Sequence, residues 1–159
     1  MGAAGAAGTP GTPGTPGTPG APGAAGPAGI VSITSIAVTF GSWTGSSPAA
    51  FLGAFATVTT TDTQRVTAVV SGTVSTAASP QQANCSYSMC FRPSGTTTAP
   101  SHFESGTAIF FNVFSTGASM TASQSKVLGA GTWDVGLCGS VVGGDDVSGS
   151  TAGWVMVTN

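Results

Sequence analysis

From Gly2 to Gly29, glycine recurs at every third position without a break, at Gly2, Gly5, Gly8, Gly11, Gly14, Gly17, Gly20, Gly23, Gly26 and Gly29. Proline fills the third place of its triplet at Pro10, Pro13, Pro16, Pro19 and Pro22, and the second place at Pro27. A flexible Gly/Pro linker gains nothing from so strict a register. A triple helix requires it: three polyproline-II chains wind about one axis that only glycine fits, and proline at the outer places pre-sets the backbone angle. Residues 1–30 are therefore expected to form a triple-helical stalk and residues 31–159 a separate domain.

The repeat resembles that of the collagen-like proteins of bacteria and phages, in which Gly-X-Y triplets precede a small β-rich trimeric head. In relatives on spore surfaces such stalks are glycosylated on threonine, so the resemblance makes Thr9, Thr12, Thr15 and Thr18 candidate glycan sites. At about 3 Å per residue the repeat spans roughly 90 Å at most. No residue from Gly2 to Val31 is charged. Without ion pairs between chains, nothing in the rod sets the stagger of its three strands. The following domain has to supply that register, by trimerising and delivering three stalk ends at high effective concentration.

That domain is itself almost free of charge. The 159 residues include Lys+Arg 3 and Asp+Glu 5, so charged residues make up 5%, against about 25% in an ordinary soluble domain. Arg65, Arg92 and Lys126 are too few and too scattered to neutralise a run of phosphates, which argues against nucleic acid and anionic membrane surfaces as partners. Gly, Ser and Thr interrupt every apolar run well short of the roughly 18 residues of a spanning helix. Apolar alternation predicts strands over residues 33–40, 51–60, 66–74, 86–92, 108–114, 119–127, 133–137 and 154–157. Turn clusters such as Pro93-Ser94-Gly95 and Gly129-Ala130-Gly131 separate them. No window combines a helical period with caps, so the expected fold class is all-β, a sandwich or jelly roll.

The closing pattern is Gly131-Thr132-Trp133-Asp134-Val135-Gly136-Leu137-Cys138, then a loop, then Gly153-Trp154-Val155-Met156-Val157-Thr158-Asn159. It resembles the jelly-roll trimers of the tumour necrosis factor and complement globular-head kind, and more closely the heads of bacterial collagen-like proteins. The resemblance implies a homotrimer whose last strand lies centrally, beside the first. It transfers no binding residue, because the loops differ freely. Phe103, Ile109, Phe110, Phe111, Val113 and Phe114 form an aromatic-aliphatic run in which Phe110 and Phe111 point to opposite faces of a strand. Such a run reads either as a subunit interface or as a central strand between packed layers.

Three cysteines leave an odd count. Cys90 shares a face with Ser86 and Ser88, and Cys138 shares one with Asp134 and Gly136, so parity puts both on equivalent faces. A Cys90–Cys138 disulfide is then feasible if the strands are neighbours, with Cys85 free or interchain. The alternatives are a local Cys85–Cys90 bridge and three free thiols. No metal site is expected, because the thiols lack Cys-x2-Cys spacing and a histidine nearby in sequence. Asp145 and Asp146, following two glycines, read as a polar turn rather than a calcium loop. His102, the single histidine, reads as a solvated loop-edge pair with Glu104. No Gly-x-Ser-x-Gly elbow with plausible partners accompanies the many serines.

These readings converge on a structural protein rather than an enzyme, with no cofactor. It is a homotrimeric fibre on a cell, spore or virion surface, or otherwise extracellular, with association into filaments left open. The alternative is an adhesin or receptor-binding tip whose head loops bind a glycan or protein ligand. Met1 stands directly before Gly2 without a basic and apolar leader region. Surface display is thus expected either after removal of a leader or by a route that uses none.

Overall fold

A computed structural model describes residues 1–16, 18, 29–43, 50–76, 83–104, 109–113, 117–142 and 147–159; for residues 38, 41–43, 83, 84, 109–113, 141 and 142 it describes the backbone alone. Gly17, Gly20, Gly23, Gly26, Phe114, Asp145 and Asp146 lie outside the described residues, as do the side chains of Phe110 and Phe111.

The strands are β1 (Ile30–Trp43), β2 (Ala50–Thr60), β3 (Arg65–Thr76), β4 (Ala83–Pro93), β5 (Ser101–His102), β6 (Ile109–Val113), β7 (Ala118–Val127), β8 (Gly131–Val142) and β9 (Val147–Thr158). They form two packed antiparallel sheets, one ordered β1-β9-β3-β7 and the other β2-β8-β4-β5, with β6 also paired to β4. Eight of the nine overlap the stretches where alternation predicts a strand, and most run longer. The ninth, β5, spans two residues and leaves no periodic trace in the sequence.

Alternation explains why these segments pack as they do. In β3, Val66, Ala68, Val70 and Val74 are buried, while Thr67, Val69, Ser71 and Thr73 face outward. Val155 and Val157 of β9 bury the same layer, and Met89, Val135 and Leu137 close it from the other sheet. Each such side chain contributes about 1.5–3 kcal/mol when fully buried. Trp133, expected on the face of Val135 and Leu137, sits at the margin of this core. Its ring meets Phe91 edge-on at 5.7 Å, and its Nε1 donates to Thr60 Oγ1 at 3.1 Å.

Glycine is needed where strands approach most closely. A Cβ added at Gly153 of β9 would run into the Val69 carbonyl and the Val70 Cα of β3. The last strand lies between the first and the third, pairing Ser35 with Trp154 on one side and Trp154 with Val69 on the other. Its first half, Val147 to Gly153, carries mostly small residues. The chain of pairs runs β1 with β9, β2 with β8, β3 with β7 and β4 with β6, and each member of the sequence β1, β2, β3, β4 lies in the sheet opposite its predecessor.

Candidate functional site

The two outer sheet faces differ in chemistry. On the β2-β8-β4-β5 sheet, pairing sets Arg92 opposite Asp134, Cys90 opposite Gly136 and also opposite His102, and Ser88 opposite Cys138. Cys90 and Cys138, one rung apart on neighbouring strands, are joined by a disulfide with a Cα–Cα distance of 5.7 Å. His102 points its Nδ1 at both sulfurs, 3.5 Å from Cys90 Sγ and 3.9 Å from Cys138 Sγ. Both cysteines are fully buried, and His102 is partly exposed.

Several contacts hold His102 there. Its neighbour Phe103 is buried, donates its backbone N–H to the Met89 carbonyl at 3.0 Å, and meets the Phe91 ring edge-on at 5.6 Å. Lys126 of β7 donates to the Phe103 carbonyl at 2.8 Å. The Met89 amide falls between the ends of β5 and β6, and the Gln124 Oε1 accepts its hydrogen at 3.0 Å. Gln124 of β7 thus takes the place of a strand partner on the β5/β6 side of β4, and Lys126 satisfies the Phe103 carbonyl, groups that would be costly to leave bare.

One rung further, Arg92 donates from Nε to Asp134 Oδ2 at 3.3 Å, and Thr57 Oγ1 donates to Asp134 Oδ1 at 3.0 Å. The Arg92 guanidinium also stands 5.1 Å from the Phe51 ring centroid and 5.2 Å from that of Phe55. Asp134 is buried, and these partners satisfy both of its carboxyl oxygens. Phe51 and Phe55 close over Gly136, where an added Cβ would approach Phe55 Cβ to 3.0 Å.

The outer face of the β1-β9-β3-β7 sheet has no such pairing. Among the described residues its single charge is Arg65, at a strand end, where Nη1 donates to Ser125 Oγ at 3.1 Å. Ile30, Thr158, Arg65 and Val127 form its terminal rung; Ile33, Met156 and Thr67 lie on a second, and Ser35, Trp154 and Val69 on a third. Apart from Met1 and Phe55, every exposed large hydrophobic among the described residues lies on or beside these rungs: Ile30, Val31, Ile33, Val127 and Trp154. This is the end at which the glycine repeat joins, since Asn159 donates its backbone N–H to the Gly29 carbonyl at 3.0 Å. Toward the other end the face turns small and hydroxylic. An open hollow of about 690 Å³ is lined there by Thr39, Thr73, Ser75, Ser119, Ser148 and Ser150, among others.

Other sequence-derived candidates are placed as follows. Thr9, Thr12, Thr15 and Thr18 are exposed. Cys85 is a free cysteine buried in the core, and desolvation pushes its thiol from 9.0 up to about 11, which lowers its reactivity. His102 is partly exposed and Glu104 exposed, and the His102 Nδ1 also faces the two sulfurs, a contact that the reading of a solvated pair with Glu104 did not include. The sequence argument that no histidine stands near the thiols also fails in space, because strand pairing closes separations of 12 and 36 residues. Arg92 and Asp134 went unassigned in the sequence, although parity already put each on the face of one of these cysteines. No helix among the described residues is long and apolar enough to cross a membrane. No protein-family model matches the chain, and neither a curated protein nor a solved structure matches it.

Proposed function

We propose that the chain is a structural, non-enzymatic homotrimer of an extracellular or surface-displayed fibre, in which a jelly-roll head registers a collagen-like stalk. The strand order supports the jelly roll, because an antiparallel ribbon wrapped so that successive strands change sheet is the arrangement of that fold. The Cys90–Cys138 disulfide suits an oxidising, extracellular setting.

One observation carries the assembly. At Gly2, Gly5, Gly8, Gly11 and Gly14 an added Cβ meets nothing within 4 Å, and none of these glycines has the positive φ that favours glycine. At these five described positions, nothing inside a single chain calls for glycine. A crowded axis shared with two further copies does. The apolar rungs at the stalk junction supply the second half of the reading. A face without opposed charges, with Ile33 and Trp154 exposed beside the point where the stalk begins, is suited to burial against a second copy of itself.

Sedimentation of the whole chain tests this. Wild type is expected at three times the chain mass of 15.3 kDa, and the double variant Ile33→Asp, Trp154→Glu at one chain mass with unchanged β-sheet circular dichroism. A monomeric wild type overturns the proposal. The adhesin reading rests on the hydroxyl-lined hollow at the end of the sheet away from the stalk, which suits a polyhydroxyl ligand such as a glycan. Specific binding on a glycan array that is lost in Ser150→Trp supports it, and no binding removes it.

A further inference from the structure

We propose that Cys90, Cys138 and His102 form a redox-gated metal site: a closed disulfide when oxidised and, once reduced, a three-ligand site for Zn²⁺ with a fourth position open. The ligand atoms come from three paired strands, β4, β8 and β5, and all lie within 4.8 Å of one another. In a tetrahedron built on Zn–S of about 2.3 Å and Zn–N of about 2.0 Å, sulfur and nitrogen stand about 3.5 Å apart and the sulfurs about 3.8 Å. The Cys90 Sγ–Nδ1 distance, 3.5 Å, equals the mixed edge, while the Cys138 Sγ–Nδ1 distance, 3.9 Å, is longer than it. Metal binding therefore requires the sulfurs to separate and Cys138 Sγ to draw closer to the imidazole.

Burial explains why the site has two states. Both cysteines are fully buried, and an empty pair of thiolates there would be a costly double charge. A disulfide is neutral, and two thiolates with one divalent cation are neutral as well. Of the three ligands only His102 is partly exposed, so the imidazole is the part of the site that reaches solvent. The contacts of Phe103 with Met89, Phe91 and Lys126 hold the backbone beside His102 independently of any metal.

The chemistry balances with a dithiol as reductant. Two electrons and two protons pass to the Cys90–Cys138 bond, which breaks to give two thiols, while the reductant's own thiols become a disulfide. Zn²⁺ then displaces both thiol protons to solvent and takes the lone pair of His102 Nδ1.

The test uses the whole chain, reduced anaerobically with a phosphine and titrated with Co²⁺, then with Zn²⁺. One equivalent of Co²⁺ is expected to give thiolate-to-cobalt charge-transfer absorption and the intense visible bands of a tetrahedral ion. Zn²⁺ should abolish both, and the oxidised chain should give neither. His102→Ala, which leaves the cysteines in place, should weaken Co²⁺ binding by more than about tenfold, since even outer-shell changes at metal sites cost that much. Cys85→Ala should bind as wild type does. Circular dichroism in each state reports whether the sheets persist. The proposal is overturned if the reduced wild type gives no charge-transfer band, if His102→Ala gives the same titration as wild type, or if the reduced chain unfolds and Zn²⁺ does not restore it.

Discussion

The two outer faces of this β domain solve the same problem in different ways. A sheet face turned away from the core normally meets water through charged and polar side chains. On the β2-β8-β4-β5 sheet the groups answer one another: Arg92 is held by Asp134 over Phe51 and Phe55, and Cys90 is joined to Cys138 with His102 above them. On the β1-β9-β3-β7 sheet hydroxyls and small residues face outward, and among the described residues the exposed large hydrophobic side chains gather near the end of the glycine repeat. The first face pairs its charges and sets its one exposed large hydrophobic among the described residues, Phe55, against the Arg92 guanidinium, whereas the second exposes Ile33 and Trp154 without opposed charges. The contrast locates the proposed assembly surface without reference to any other protein.

The contrast can be broken by mutation, and the largest effect is expected on the unpaired face. Trp154→Glu alone should shift the trimer strongly toward monomer in sedimentation, while the midpoint of urea unfolding measured on the monomer stays nearly unchanged. On the paired face the order reverses. Arg92→Ala leaves the buried Asp134 carboxylate without its cation and should cost about 3–5 kcal/mol in urea unfolding, with the trimer mass retained. Reducing the disulfide, which joins residues 48 apart, should cost up to about 4 kcal/mol by the chain-entropy estimate. Gly14→Ala should lower the melting of the stalk alone, seen as loss of the polyproline-type dichroism, and leave the melting of the β domain in place.

The smallest effect concerns the core that both faces enclose. The Cys85 thiol is raised in the fold from 9.0 to about 11 by burial. The unfolded chain therefore loses this proton at lower pH than the folded one. Stability from this group is fully present below pH 9.0 and is lost as pH rises toward about 11. Urea midpoints taken across that window should fall in wild type and fall less in Cys85→Ala.

Much of the architecture could be read from residue order because a strand buried on one side writes its parity into the sequence. Val66, Ala68 and Val70 alternate with Thr67 and Val69, and the buried set follows that alternation. The first half of β9 could not be read in this way, since Ser148 to Gly153 resembles a loop until β1 and β3 pair with it on both sides. Parity also put Cys90 and Cys138 on equivalent faces but could not say which strands adjoin. That missing register hid the Arg92–Asp134 pair. It hid His102 as well, which a two-residue strand carries to the sulfurs from a segment rich in turn residues. The glycine period is legible in full in the sequence, and at Gly2, Gly5, Gly8, Gly11 and Gly14 the chain itself leaves open space around it.

The central claim is that the head, and not the stalk, brings three chains together. Sedimentation of the whole chain before and after proteolytic removal of the Gly-X-Y segment tests it most directly. The account predicts three chains per particle in both samples. A trimer that falls apart to monomers once the repeat is removed would contradict it.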